Sequence, residues 1–372
     1  MIKLSKVIFI LLVIFLSLFQ ETDARKINQN NDIIQIDNPY EKVDWLNYQQ
    51  HKANLQTHTT NSDGILTPEQ VINRYEKLGY TILSITDHDD LNNYRTTWPW
   101  ESYGIDSQET KILAVQGNEI SKTNHIGSLF NNYRGGTDSE QLALEEIGER
   151  DGMAIFNHPG RYDETLEWYI NFFKEYEHLI GIEVYNQGDR YQNDRNLWDK
   201  LLSLLMPERP VWGFSNDDMH LPYHLGRNIN VLVIDKLNKE NVRKSLENGS
   251  FYFAYTPIVG GSFPEIKNIV IDSNKISLEV DEYEEIVWLG ASSPDDIDNN
   301  QITFKKRLNN IFKGIIELEP GYFLFPHNRS LELAKGESIS FTDIEGLSYV
   351  RAIIKGNSGV SYTQPFGIKK IE

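Results

Sequence analysis

From residue 53 the chain alternates short apolar runs with stretches whose apolar positions recur every three or four residues. The runs predict strands at 53–56, 81–85, 111–115, 153–156, 182–185, 211–214 and 229–234. Helical spacing predicts helices from Thr67, over 139–150, 164–176, 193–205 and 241–248. The first helix carries its own start signal. Thr67 suits the cap, Pro68 the first turn, and Gln70 the position that reaches back to the cap. Gly79, Gly152 and Gly249 stand where a left-handed residue ends a helix. Strand and helix in repeated alternation predict an α/β fold, built as a parallel sheet or a (β/α) barrel.

After residue 263 the pattern changes. KNIVIDSNKISLEV, EEIVWLGAS, KGIIELEPGYFLF and LSYVRAIIKGN alternate apolar and polar positions, with turn residues between them. This predicts a small antiparallel β-sandwich over 263–372, after a barrel over 51–262. Residues 25–50 are polar and read as a lead-in. Residues 1–24 read as an export signal: Lys3 and Lys6, the thirteen-residue apolar run Val7–Phe19, then Thr22-Asp23-Ala24. The run is short for a bilayer span. The expected protein is therefore periplasmic or secreted, without stable membrane association once the signal is removed.

Composition narrows the function. The 372 residues are 40% hydrophobic with seven Trp, nineteen Tyr and seventeen Phe, enough for a packed core. A net charge of −18 argues against nucleic acid as a partner. There is no Cys, so an exported chain must hold itself together without disulfides. The oligomeric state is not legible.

The polar residues that break this pattern fall at strand ends. His58 follows the first strand, Asp87 and His88 the second, Glu119 and His125 the third, His158 the fourth. Asp217, Asp218 and His220 follow WGF. Parallel α/β folds collect ligands at the carboxyl ends of their strands. Imidazoles mixed with carboxylates suit Zn, Mn or Fe.

NLQTHTTNSDG, SITDHDD, GNEISKTNH, FNHP and NDDMH, in this order, resemble the motif series of the PHP superfamily (polymerase and histidinol phosphatase). The resemblance spans about 55–220. It implies a distorted seven-stranded (β/α) barrel with two or three divalent metals. Carried over by position, one metal would take His58, Glu119 and Asp218; a second Glu119, His125 and His158; a third Asp63, His88 and His220. The chain departs from the family at Gln56, where the first motif usually has His. A neutral amide is the weaker ligand, so one metal should bind weakly or give way to substrate. The substitution reads either as drift in a working phosphoesterase or as a position freed for other chemistry.

Two reactions fit such a cluster. Phosphoester hydrolysis needs a metal-activated hydroxide and cations for the phosphoryl oxygens. Elimination of water from a uronic acid needs a clamped carboxylate and a base. The resemblance extends to exported PHP-type proteins of polysaccharide-degrading bacteria, which include a dehydratase of ulvan oligosaccharides. It implies a metal-dependent lyase acting on an anionic oligosaccharide, with hydrolysis as the alternative. His220 or Tyr185 is the candidate base, and Arg161, Arg227, Gln56 and Asn186 are candidate substrate contacts. Trp98 and Trp100 are candidates for stacking on sugar rings. A third reading is a carbohydrate-binding protein that keeps its metals for structure alone.

Overall fold

The computed structural model describes residues 33–89, 96–106, 109–122, 124–291, 332–341 and 346–371. The export signal, residues 25–32 of the lead-in and the KGIIELEPGYFLF stretch lie outside the described residues; the rest of the lead-in is described and contains the strand Ile33–Asp37.

The helix Pro68–Lys77 forms as its sequence dictates. The Thr67 hydroxyl accepts from the Gln70 amide, and the Gln70 side chain accepts from the Thr67 amide. Its inward face, Val71, Ile72 and Tyr75, is buried. Burying one such side chain contributes about 1.5–3 kcal/mol, so packing stabilises the helix more than its cap does. The other helices are Glu140–Glu149, Leu166–Glu175, Asp194–Leu205 and Lys239–Asn248. All five fall where the 3.6-residue pattern places them. Among the described residues no helix is long and apolar enough to cross a membrane.

The strands divide between two runs of parallel pairing. Gln49–Asn54, Tyr80–Leu83 and Leu113–Ala114 lie side by side in one. Met153–Phe156, Leu179–Asn186 and Trp212–Asn216 form the other. The second run continues through an antiparallel hairpin, Gly117–Ile120 with Ile126–Leu129. Isolated bridges, Thr57 with Met219 and His88 with Glu119, link the two sheets where the candidate ligands sit. Among the described residues no continuous ladder closes them, so the expected seven-stranded barrel is corrected to two open sheets meeting at their polar ends. Polar strand ends give up sheet hydrogen bonds to side chains. The Leu55 amide, for example, donates to Asn216 Oδ1 instead of to a neighbouring strand.

The region after residue 263 is antiparallel, as its alternation predicts. Glu265–Asp272, Lys275–Asp281 and Ser338–Ser340 make a three-stranded sheet. Glu285–Ala291, Glu332–Lys335, Tyr349–Lys355 and Val360–Tyr362 belong to the long sheet of Gln49–Asn54. Continuity runs through Phe251–Tyr255, which pairs with Asn228–Ile234 on one side and Val360–Tyr362 on the other. A buried ion pair, Asp199 with Arg351, ties the helix Asp194–Leu205 to this strand system.

Candidate metal centre

All eight candidate ligands converge. His58 Nε2 lies 3.2 Å from Asp218 Oδ1 and 3.4 Å from Glu119 Oε2. His88 reaches Asp63 Oδ2 at 3.3 Å through Nε2 and Glu119 Oε2 at 3.2 Å through Nδ1. His125 Nδ1 and His158 Nε2 face Glu119 Oε1 at 3.1 and 3.3 Å. His220 Nε2 is 3.2 Å from Asp63 Oδ1. Glu119 is the hub, with oxygens facing four histidines, and it is only 1% exposed. His58, His158 and Asp218 are buried with it, whereas Asp63 and His220 reach solvent.

These residues fit divalent cations. Around an ion with bonds of about 2.0–2.2 Å, neighbouring ligand atoms in a tetrahedron lie about 3.3–3.6 Å apart. The nitrogen-to-oxygen separations above match that edge length closely. Several of these atoms, His58 Nε2, His125 Nδ1 and Asp218 Oδ1 among them, are buried with no hydrogen-bond partner in the protein. Unsatisfied buried polar atoms are rare and costly. Here they face one another across gaps of ligand-to-ligand size. Among the described residues two donor groups, which share His88, are compact enough to hold an ion: His58, Asp63, His88 and His220, and His88, Glu119 and His125.

Local backbone geometry aims the ligands. His158 (φ 30°) and Asp218 (φ 43°) adopt left-handed conformations that non-glycine residues avoid. Such a conformation costs about 1–3 kcal/mol and needs surrounding support. The His158 amide donates to buried Glu183 Oε2 at 2.8 Å. The Asp218 carbonyl accepts from Gln187 Nε2 at 3.1 Å. In the 58–63 turn, Gly64 lies so close that an added Cβ would sit 2.6 Å from the His58 carbonyl oxygen. Asp87 knits the same turn, accepting from the Thr59 amide at 2.7 Å, the Thr59 hydroxyl at 2.7 Å and the Ser62 hydroxyl at 2.7 Å. Asp217 does equivalent work under Asp218, accepting from Tyr75 and from the amides of Gly226, Arg227 and Asn228.

Charge within the cluster is strongly mutual. Burial opposes ionisation of Glu119, yet His125 and the other imidazoles around it hold it well below the usual carboxylate range. Asp218 is lowered likewise by His58 and His158 against its burial, and Asp63 by His220 and His88. Burial depresses His220, but Asp63 and Asp218 outweigh it and carry it up to about 9. Glu183 goes the other way, pushed well above its ordinary value by burial and by the Asp218 charge.

The cluster floors an open cavity of about 420 Å³. Ser121, Arg161, Gln187 and Arg190 complete its lining. Arg161, expected as a substrate contact, is one of the lining residues. Four other expectations are corrected. Tyr185 is 1% exposed, and its hydroxyl pairs with Tyr362 at 2.9 Å; it does not line the cavity. Arg227 packs on Tyr255 and bonds its hydroxyl at 3.2 Å, outside the lining. Gln56 and Asn186 are buried beneath the cluster and contact it from behind. Of the two tryptophans, Trp100 is buried in the core and Trp98 packs against it.

Sequence reasoning missed Arg190, Gln187, Glu183 and Asn157. Asn157 Nδ2 donates to Glu119 Oε1 at 2.8 Å. Its signal was its place beside His158 in FNHP; Arg190 and Gln187 follow the strand Leu179–Asn186 in YNQGDR, a strand end like the others.

No known family's sequence profile matches this chain. No curated protein matches it either. Among solved structures it is similar to a two-domain protein from Bacteroides vulgatus containing a predicted PHP-like metal-dependent phosphoesterase. That match has 14% identity and a TM-score of 0.48, covering 87% of this chain and 96% of the other. An inferred metal-dependent phosphoesterase from Bifidobacterium adolescentis matches at 14% identity and a TM-score of 0.36, over 53% of this chain and 96% of its own. A lesion-specific endonuclease from Pyrococcus furiosus matches at 14% identity and a TM-score of 0.38, over 54% and 56% respectively.

Proposed function

We propose that this chain is a divalent-metal-dependent phosphoesterase acting on a small phosphoester with a terminal anionic phosphoryl group. One observation carries the choice of reaction. Every carboxylate and imidazole lining the cavity, the expected base His220 included, is one of the eight candidate ligands. Elimination from a uronic acid calls for a base that is free to take a carbon-bound proton. Among the described residues the lining holds none outside the set, and Tyr185 lies elsewhere. Hydrolysis makes no such demand.

Bound divalent cations would neutralise phosphoryl oxygens and lower the pKa of a water molecule. His58, Asp63, His88, Glu119, His125, His158, Asp218 and His220 would hold them. Arg161 and Arg190 stand at the mouth, each against an aromatic ring, Tyr162 at 5.8 Å and Tyr191 at 5.0 Å from the ring centre. Planar guanidinium groups suit the non-bridging oxygens of a phosphoryl group. Two of them favour a dianionic monoester over a diester. The net charge of −18 disfavours long polyanions at a distance, so a short substrate fits better.

Turnover of p-nitrophenyl phosphate and of its bis-ester by Mn- or Zn-loaded protein tests this reading. Monoester hydrolysis that stops on chelation supports it. A uronate-terminated ulvan oligosaccharide run in parallel separates the two reactions. Loss of one water with a new ultraviolet absorbance, and no phosphate release, would replace hydrolysis by elimination. Export by residues 1–24 belongs to the same proposal, and amino-terminal sequencing of the mature protein checks it.

A further inference from the structure

Arg190 is exposed, yet the turn that delivers it to the cavity, 187–190, is held at each of its preceding residues. The Gln187 amide donates to the Asn216 carbonyl at 3.1 Å. Gly188 and Asn228 exchange two bonds, from the Gly188 amide to Asn228 Oδ1 at 2.6 Å and from Asn228 Nδ2 to the Gly188 carbonyl at 2.9 Å. Gln187 (φ 46°) and Gly188 (φ 81°) are both left-handed, and a Cβ on Gly188 would sit 2.7 Å from the Arg227 guanidinium. Asp189 then pairs with Arg195 in the first turn of the helix Asp194–Leu205, Nη1 to Oδ1 at 2.6 Å and Nη2 to Oδ2 at 3.5 Å. Arg195 is buried, with its guanidinium 4.8 Å from the Tyr185 ring centre. Tyr185 in turn stacks on Tyr255, whose hydroxyl accepts from Arg227. The two residues expected to touch substrate, Tyr185 and Arg227, thus brace the turn that carries Arg190.

Gln187 links this arm to the cluster. Its Oε1 accepts from Arg190 Nη1 at 3.3 Å, and its Nε2 donates to the Asp218 carbonyl at 3.1 Å. Neither Asp189 nor Arg195 lines the cavity. Resting on the phosphoesterase reading above, we infer that Asp189 is a positioning residue for Arg190: its pairing with Arg195 fixes the turn, so that the Arg190 guanidinium meets a phosphoryl group already aimed. A long exposed side chain gives up rotamer freedom when it binds. A preorganised one gives up less, and affinity gains the difference. Breaking the pair loosens the residue before Arg190 and spreads its guanidinium over several positions. The candidate metal ligands are untouched by this, so the chemical step keeps its rate. A contact made equally in the ground and transition states shows in KM and leaves kcat alone.

The test is steady-state hydrolysis of p-nitrophenyl phosphate by the Mn- or Zn-loaded full chain. D189N keeps the side chain's shape and removes its charge. It is expected to raise KM by about fivefold, with kcat and retained metal unchanged. In an R190A background the same change is expected to move KM by less than about twofold, because the residue it positions is gone. A merely structural pair would instead lower the active fraction, and hence the apparent kcat, in both backgrounds. An unchanged KM in folded D189N, or the same rise with and without Arg190, overturns the inference. If D189N fails to fold, R195K decides it, because a lysine keeps the charge but not the two-pronged fork: a raised KM supports the inference and an unchanged one overturns it. The two readings fail separately. Normal wild-type turnover with an unaffected D189N removes the positioning role alone, whereas a metal-loaded wild type that hydrolyses no phosphoester removes both.

Discussion

The Asp199–Arg351 pair offers the most quantitative prediction about the fold. Arg351 donates to Asp199 through Nε at 2.8 Å and Nη2 at 2.7 Å, a bidentate arrangement. Tyr349 adds a third bond to the same carboxylate at 2.7 Å. The two side chains are 1% and 3% exposed. The guanidinium also lies 5.0 Å from the Trp198 ring centre. R351M keeps most of the volume and removes the charge. Two charge-assisted hydrogen bonds at about 1.5–3 kcal/mol each are lost, and a buried carboxylate is left without its counterion. Breaking a buried pair from one side costs about 3–5 kcal/mol, in keeping with that sum. Urea denaturation followed by tryptophan fluorescence reads the loss, with Trp198 beside the lesion. The double variant D199L/R351M should recover a large part of it, because neither charge is then stranded. A loss below about 1 kcal/mol in R351M, or a double variant as unstable as the two singles added, would refute the reasoning.

Arg190 touches the cavity but none of the candidate ligands, so R190A should raise KM for a phosphomonoester by about tenfold, roughly 1.4 kcal/mol, with the metal count unchanged. In G64A the new Cβ meets the His58 carbonyl at 2.6 Å; a loss of about 1–3 kcal/mol is expected, and metal affinity should weaken because the turn carries Asp63. Lys335 and Lys355 hold Glu285 down to about 2, from an ordinary value near 4.5. A depressed carboxylate stabilises the fold above its unfolded value and loses that contribution as pH falls from about 4.5 toward 2. Since the Glu285 side chain and its lysine partners are partly exposed, E285Q should cost under about 1 kcal/mol at pH 7, a cost that falls away as pH drops through about 2; an equal cost at both extremes would contradict the assignment.

Much of the site was legible because strand ends and residue types are local facts. Thr67, Pro68 and Gln70 name a helix start by chemistry that needs no tertiary partner. His58, His88, His158 and Asp218 could be placed together because a parallel sheet brings its strand ends to one side. The hairpin Gly117–Ile120 with Ile126–Leu129 was missed for a physical reason. Both faces are buried, so its sequence shows no alternation. Phe251–Tyr255 is buried on both faces too, and it links the long sheet to the antiparallel region. Sheet closure depends on how polar strand ends diverge, which no local pattern records. Tyr185 and Arg227 sit close in sequence to cavity residues, yet one hydroxyl to Tyr362 and one guanidinium on Tyr255 turn them away. Gln56 was visible as an anomaly; which end of its amide faces Glu119 depends on Asn186, 130 residues away.

The central claim is tested most directly by p-nitrophenyl phosphate hydrolysis before chelation, after chelation and after return of Mn or Zn, in the wild type and in H158A. The account predicts turnover that vanishes with the metal and returns with it. It also predicts a folded H158A that stays inactive throughout. Full activity in the stripped protein or in H158A, or a metal-loaded wild type inert toward phosphoesters, would contradict it.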